Sequence, residues 1–212
     1  MRSVPDFSIE LSCGKEIIAG VDEAGRGPLC GPVVAGAVVF KKYDFKDMPL
    51  ITDSKQMTEK QRQIAFDWIV NNPDIVWAVG QCSAQEIDEL NILQASLTAM
   101  KRAVSTLNIL PEYCLVDGNK MPDKMIGQSV VKGDSLSLSI AAASIVAKQT
   151  RDAIMRDLAK QFPQYCWDTN AGYPTQQHLQ AIDKYGINEY YRKTYRPVKE
   201  RLEKNENDSR SK

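Results

Sequence analysis

Two adjacent acids, Asp22 and Glu23, close an apolar run at residues 17–23, and the chain turns through Gly25-Arg26-Gly27 before a second apolar run begins. Unpaired carboxylates are rare in buried strands, because taking them out of water is costly. Two more acids stand beside a glycine at the end of an apolar segment: Asp117 before Gly118, and Asp134 after Gly133. In open α/β sheets such strand ends converge on one site. A set of carboxylate oxygens suits hard cations such as Mg²⁺ or Mn²⁺. Two such ions together assist phosphoryl transfer by activating a water and stabilising the leaving oxygen. Neighbours on a strand point to opposite faces, so Glu23 joins Asp22 only if the strand is ending there, as Ala24-Gly25 suggests. Taken singly, Asp134 is equally the N-cap of the helix that follows, and Asp117 equally a turn residue.

The Gly25-Arg26-Gly27 segment offers bare backbone beside these acids, with one cation for a phosphate. It is not a dinucleotide fingerprint, because the next glycine, Gly31, comes one place late and Pro28 interrupts the turn; no Walker A sequence is present. His178 is the one histidine. That excludes paired-histidine hydrolysis and metal sites built mainly from imidazole, and His178 is expected on a helix surface or partly packed. Asp152 is expected to pair with Arg156 one helical turn on.

Charge and composition are those of an ordinary globular domain of 212 residues with zero formal net charge. No global basic field announces nucleic acid. Residues 192–212 carry eight Lys or Arg against four acids, a patch that reads as a solvated helix and tail before it reads as a phosphate-binding surface. The five cysteines are odd in number and show no zinc-like spacing, so they are expected to be reduced in a cytoplasmic protein. No signal-like apolar core and no bilayer-length apolar run is seen, so no membrane partner is expected.

The elements that must position the acids follow from periodicity. Strands are expected at 17–23, 32–40, 75–83, 112–117 and 125–131, the first two antiparallel because their connection is short. Thr58 with Gln61 signals a capping box on a helix that stops at Asn71-Asn72-Pro73. Leu90, Leu93, Leu97, Met100, Val104 and Leu107 predict one amphipathic helix, and Ile140, Ala143, Ala147, Ile154 and Leu158 a longer one. Gly172-Tyr173-Pro174 marks a turn. The expected fold is α/β, with a mixed sheet that is antiparallel first and parallel later, flanked by helices and followed by a helical C-terminal appendage. One domain is expected over 1–204, its helical C-terminal part from about 160, with 205–212 a disordered tail.

The stretches GVDEAGRGPLCGPVV, TDSKQMTEKQR, ELNILQASLTAMKRAV, PEYCLVDGNKMP, VVKGDS, IAAASIVAKQTRD, FPQY and GYPTQQHL occur in this order from about Ile17 to Lys199. Together they resemble bacterial type 2 ribonuclease H. The resemblance implies the ribonuclease H fold with a five-stranded mixed sheet. It implies a site of four carboxylates, Asp22, Glu23, Asp117 and Asp134, that are catalytic through the Mg²⁺ or Mn²⁺ they hold, two ions during catalysis. It implies that the backbone of Gly25, Arg26 and Gly27 contacts a ribonucleotide 2′-hydroxyl. Tyr173 is expected to pack on the neighbouring deoxyribose, and Ser54 and Lys55 to lie near the nucleic-acid backbone. The implied activity is endonucleolytic cleavage of RNA paired or joined to DNA, including single ribonucleotides in duplex DNA. The cut is expected on the 5′ side of the ribonucleotide, leaving a 3′-hydroxyl and a 5′-phosphate, and the protein is expected to be a monomer. Asn170-Ala171 stands where the family often has His-Lys, which removes a cation near the groove. The extra N-terminal domain of type 3 enzymes is not expected. The competing readings are a DNA-cleaving nuclease on the same fold and a non-catalytic nucleic-acid-binding module.

Overall fold

The apolar runs become five strands in the computed structural model, which describes residues 4–210. They are β1 (Ile18–Ala24), β2 (Val33–Phe40), β3 (Ile75–Cys82), β4 (Tyr113–Asp117) and β5 (Gly127–Val130), in the sheet order β3-β2-β1-β4-β5. β1 pairs antiparallel with β2, and β2 with β3, while β1 runs parallel to β4, and β4 to β5. This is the expected mixed sheet, antiparallel first and parallel later; the helices Ala84–Leu90 and Ile92–Ser105 lie in the crossover from β3 to β4. Every residue of β2 is buried, as both of its faces are covered by helices.

The helices are α1 (Ser8–Ser12), α2 (Glu59–Asn71), α3 (Ala84–Leu90), α4 (Ile92–Ser105), α5 (Leu138–Gln161), α6 (Trp167–Asn170), α7 (Gln176–Tyr185) and α8 (Arg196–Arg210). Thr58 and Gln61 form the reciprocal capping box of α2. The single helix expected through Leu90 to Leu107 is instead two. Asn91 takes a positive φ of 66° and its side chain caps α4 by accepting from the N–H groups of Leu93 and Gln94. The apolar spacing runs on unbroken through Leu90, so periodicity alone hides the break. α4 covers one sheet face through Ala95, Ala99, Met100 and Ala103. α5 and α2 cover the other, with Leu138, Ala142, Ile145 and Ile69 against Val38 and Phe40.

α5 approaches the sheet at backbone distance. A β-carbon on Gly20 would stand 2.1 Å from the carbonyl carbon of Ser139, and one on Gly36 would stand 2.5 Å from the carbonyl oxygen of Ala143. The first turn of α5 is also held from behind. The buried Glu10 of α1 accepts from the Ser137 hydroxyl, the Ser139 N–H and the Ser139 hydroxyl. A carboxylate at a helix N-terminus is favoured both by the free N–H groups and by the helix dipole.

The expected C-terminal appendage packs a core of its own. Trp167, Tyr165, Tyr191 and Ile182 gather with Leu29, Cys30 and Met155, and the Trp167 and Tyr165 rings stack at 4.9 Å. α8 carries ion pairs within or beside itself, Arg196–Glu200 and Arg201–Asp183, as a solvated basic helix does. Its backbone continues to Arg210, and residues 211–212 of the expected tail lie outside the described residues. No helix among the described residues is long and apolar enough to cross a membrane.

Because the Gly20 contact is backbone against backbone, no side chain can yield to relieve it. Gly20→Ala is expected to destabilise the fold by about 3 kcal/mol or more, read as a lower urea midpoint at unchanged slope. A midpoint within error of wild type would show that α5 is free to shift.

Candidate active site

Asp22, Asp117 and Asp134 meet because three parallel strands end together. β1 and β4 pair as far as Val21 with Val116, so the next residues in step are Asp22 and Asp117. Asp117 in turn stands beside Val130 of β5, and Asp134 follows in a short 3₁₀ turn, Gly133–Ser135. Asp117 Oδ1 accepts from the Gly133 N–H at 2.7 Å, fastening that turn to the end of β4. Asp117 is therefore held across the sheet and is not a local turn residue. Asp134 is not the N-cap of α5 either; Ser137 caps it by accepting from the Ile140 N–H. β1 ends at Ala24, one residue after Glu23, which agrees with the strand ending where two adjacent acids require it.

These acids feel one another. Asp22 is buried, and its carboxyl is pushed well above the usual range, first by burial and then by the charges of Glu23, Asp117 and Asp134. Glu23 is raised by burial, with Asp117 adding to the rise and Arg26 opposing it through an ion pair at 3.4 Å. Asp134 is raised by burial, then by Asp53 and Asp117, with Lys55 opposing. Burial lowers Lys55, but Asp22, Asp53, Asp134 and Glu23 together raise it further. Among the described residues no three acids already close on one point as a metal cage. The donor set is nonetheless all carboxylate oxygen, crowded and short of positive charge, which fits a hard divalent cation.

Beside the acids lies an open cleft of ≈ 270 Å³. Asp22, Glu23, the Gly25–Gly27 loop, Ser54, Lys55 and Tyr173 all line it. Asp117 and Asp134 adjoin it through Asp22 without lining it. Gly25 and Gly27 are glycines for different reasons. Gly25 has φ +97°, and a β-carbon there would meet the Arg151 side chain in the interior, 2.1 Å from Nε. Its missing side chain therefore faces the protein, contrary to the expectation that both glycines bare the loop toward a ligand. At Gly27 a β-carbon would instead stand 3.4 Å from the Tyr173 ring, in the space between loop and tyrosine. Tyr173 is half-exposed. Its turn is set by Gly172 at φ +82° and by Asn170, whose amide donates to the Tyr165 carbonyl while its oxygen accepts from the Gly172 N–H. Asn170 thus fastens the base of the tyrosine loop.

A sequence model of ribonuclease HII matches residues 19–198. The chain belongs to the ribonuclease HII family. It is 46% identical over 199 residues to ribonuclease HII of Aliivibrio fischeri, covering 93% of this chain and 94% of that protein. It is 47% identical over 213 residues to ribonuclease HII of Magnetococcus marinus, covering 95% and 98%. Among solved structures, ribonuclease H2 from Pyrococcus horikoshii superposes with a TM-score of 0.71 at 27% identity, covering 87% of this chain and 96% of that one. As a ribonuclease HII family member the chain is a hydrolytic endoribonuclease acting on the RNA of hybrids.

Some residues at the ribonuclease HII cleft were not singled out in the sequence. Lys148 and Arg151 line it, and Asp53 faces Asp134 electrostatically. The available signal was the pair of cations inside the alanine-rich run of α5, and the acid preceding Ser54-Lys55. The ion pair expected between Asp152 and Arg156 is made instead with Lys148, at 2.7 Å. Lys148 is the partly buried partner, where less water screens the attraction. His178 is not on a surface. It is fully buried, with Nδ1 2.8 Å from the Tyr173 carbonyl and Nε2 accepting from the Trp167 indole N–H at 3.1 Å. That acceptor role assigns the Nδ1–H tautomer, which donates to Tyr173. Burial also pushes the imidazole's pKa down, so His178 serves as a neutral strut of the tyrosine loop.

The acid cluster costs stability when no cation is bound. A carboxyl whose folded pKa is raised costs nothing below its unfolded value and its full amount above the folded one, so stability is lost as pH rises through that window. Asp22→Asn in EDTA at neutral pH is expected to raise the melting temperature by ~2–4 °C, the response of a chain this size to about 1 kcal/mol. The gain should shrink as pH falls into the carboxylate range. A lower melting temperature for Asp22→Asn would contradict the crowding.

Proposed function

We propose that this cleft cuts the phosphodiester on the 5′ side of a ribonucleotide, in RNA–DNA hybrids and at single ribonucleotides within duplex DNA, leaving a 3′-hydroxyl and a 5′-phosphate. The observation that carries this reading is the placing of a cation-hungry acid cluster directly beside a glycine-lined loop that faces an exposed tyrosine ring. Asp22, Glu23, Asp117 and Asp134 would hold Mg²⁺ or Mn²⁺, two ions during turnover. Such ions supply the charge that activates a water and stabilises the leaving oxygen.

The chain's own groups do the rest. Lys55, Lys148 and Arg26 bring positive charge to the cleft for the phosphates, and the buried backbone around Ser54 fixes where Lys55 starts. The Gly25–Gly27 backbone meets the 2′-hydroxyl, the group that separates RNA from DNA. The Tyr173 ring packs on the following sugar, where a second 2′-hydroxyl would crowd it. No histidine is free for proton transfer, as His178 is spent inside the protein. The protein acts as a monomer, and in the cytoplasm; its five free cysteines support the second of these.

A DNA duplex carrying one ribonucleotide, incubated with protein and Mg²⁺, is expected to be cut once, 5′ to that ribonucleotide, while the all-DNA duplex stays intact. Asp134→Asn should remove most activity on every substrate, because an amide is a poor replacement for a charged ligand. Equal cutting of the two duplexes would favour a DNA nuclease on the same fold, and salt-sensitive binding without turnover would favour a binding module.

Tyr173→Ala is expected to slow cleavage at the ribonucleotide–deoxyribonucleotide junction about 100-fold, the scale of a lost positioning contact. Single-turnover rates on junction and uniform hybrid substrates measure this. A variant as fast as wild type at the junction would remove Tyr173 from recognition.

A further inference from the structure

Arg192 is fully buried, yet no ion pair joins it among the described residues. A buried guanidinium without a counter-ion is costly unless its donors are met by acceptors. Here the acceptors belong almost entirely to one loop. Nη2 donates to the Gly25 carbonyl at 2.6 Å and to the Gly31 carbonyl at 3.0 Å. Nε donates to the same Gly31 oxygen at 3.1 Å. Nη1 donates to the Arg26 carbonyl at 2.9 Å and to the Tyr195 hydroxyl at 3.0 Å. The Tyr195 hydroxyl in turn donates to the Arg26 carbonyl at 2.6 Å.

Two of these carbonyls decide where two N–H groups point. The chain contains no cis peptide among the described residues, and in a trans peptide the C=O of one residue and the N–H of the next lie antiparallel. With the Gly25 and Arg26 carbonyls drawn to one guanidinium, the N–H groups of Arg26 and Gly27 face away from it. Neither N–H donates to any acceptor among the described residues, although the loop lines the cleft. A cation at the oxygen end of a peptide also polarises its N–H and strengthens it as a donor.

We propose that Arg192 is a positioning residue for sugar recognition, turning the Arg26 and Gly27 N–H groups into the cleft as the donors that read the 2′-hydroxyl. Tyr195 completes the device by holding the second peptide plane. The planar fork of arginine matters, because a lysine at this place cannot reach the Gly25, Arg26 and Gly31 oxygens in one plane. Arg151 supports the same unit from the other side, donating to the Cys30, Pro32 and Ala171 carbonyls and so tying the loop to the Tyr173 turn.

This role rests on the ribonucleotide-specific reading above, and the test separates the two. Binding of two DNA duplexes that differ in one 2′-hydroxyl is measured by fluorescence anisotropy in Ca²⁺, for wild type, Tyr195→Phe and Arg192→Lys. Wild type should prefer the ribonucleotide duplex. Tyr195→Phe should lose about tenfold of that preference, the scale of one hydrogen bond, and Arg192→Lys more, with affinity for the all-DNA duplex unchanged in both. A general loosening of the fold would weaken both duplexes together and leave the ratio alone. If Arg192→Lys does not fold, Tyr195→Phe decides the matter. Folded variants that keep the wild-type preference overturn the role of Arg192. A wild type that binds both duplexes equally overturns the sugar-reading function of the loop, and this role with it.

Discussion

Asp22 and Asp117 stand level on neighbouring parallel strands, and the sheet gives them no room to part. Their pairing follows from the β1–β4 register, and the register follows from the burial of every residue between Ile18 and Val21. A slip of one residue would exchange the two buried faces and bring Ala19 or Val21 to the place where α5 admits only the glycine at position 20. Charge repulsion at the strand ends is therefore opposed by the core beneath. The backbone-tight seat of α5 on Gly20 and Gly36 then holds the turn bearing Asp134 against the same strand ends. The site is a place where packing forces like charges together, and a divalent cation is the natural relief.

Positive charge is distributed with equal economy. Lys55 and Lys148 line the cleft, as does the edge of the buried Arg151, while Arg151 and Arg192 brace the loop that forms its wall, bonded to carbonyls instead of acids. Cations facing inward orient and polarise the loop; cations facing outward remain for phosphates. The C-terminal part, which looks like an appendage in the chain order, supplies Arg192 and Tyr195 from the segment between α7 and α8, and the His178 strut of the tyrosine turn from α7. It is thus part of the recognition surface. The cost of burying two guanidiniums shows in their pKa values, Arg151 being pulled down to about 10 by burial and by its neighbour Arg192.

What was legible in the sequence was what local pattern encodes. The five strands, the α2 capping box and the acids that interrupt apolar runs could be read from period and composition, and the motif order named the family. The break at Asn91 could not, because the leucine spacing passes through it and the positive-φ turn is set by an asparagine side chain capping the next helix. His178 and Arg192 were missed for a different reason. Their partners are Trp167, Tyr191 and the Gly25–Gly31 loop, the last more than 160 residues away in the chain, and a charged or polar residue on a helix or in a polar connection looks solvated until its partners are known. Asp134 was ambiguous between cap and ligand, and the position of Ser137 removes the cap reading.

We infer that the carboxylates at the ends of β1 and β4, with the turn after β5, form one cation site. Thermal unfolding of wild type and of an Asp22→Asn/Asp134→Asn double variant across a Mn²⁺ titration tests it most directly. A ligand that binds only the folded state raises stability by RT ln(1 + [L]/Kd), so the wild-type melting temperature should climb with Mn²⁺ while that of the double variant stays flat. Equal climbs in the two proteins would place the cation elsewhere and contradict the account.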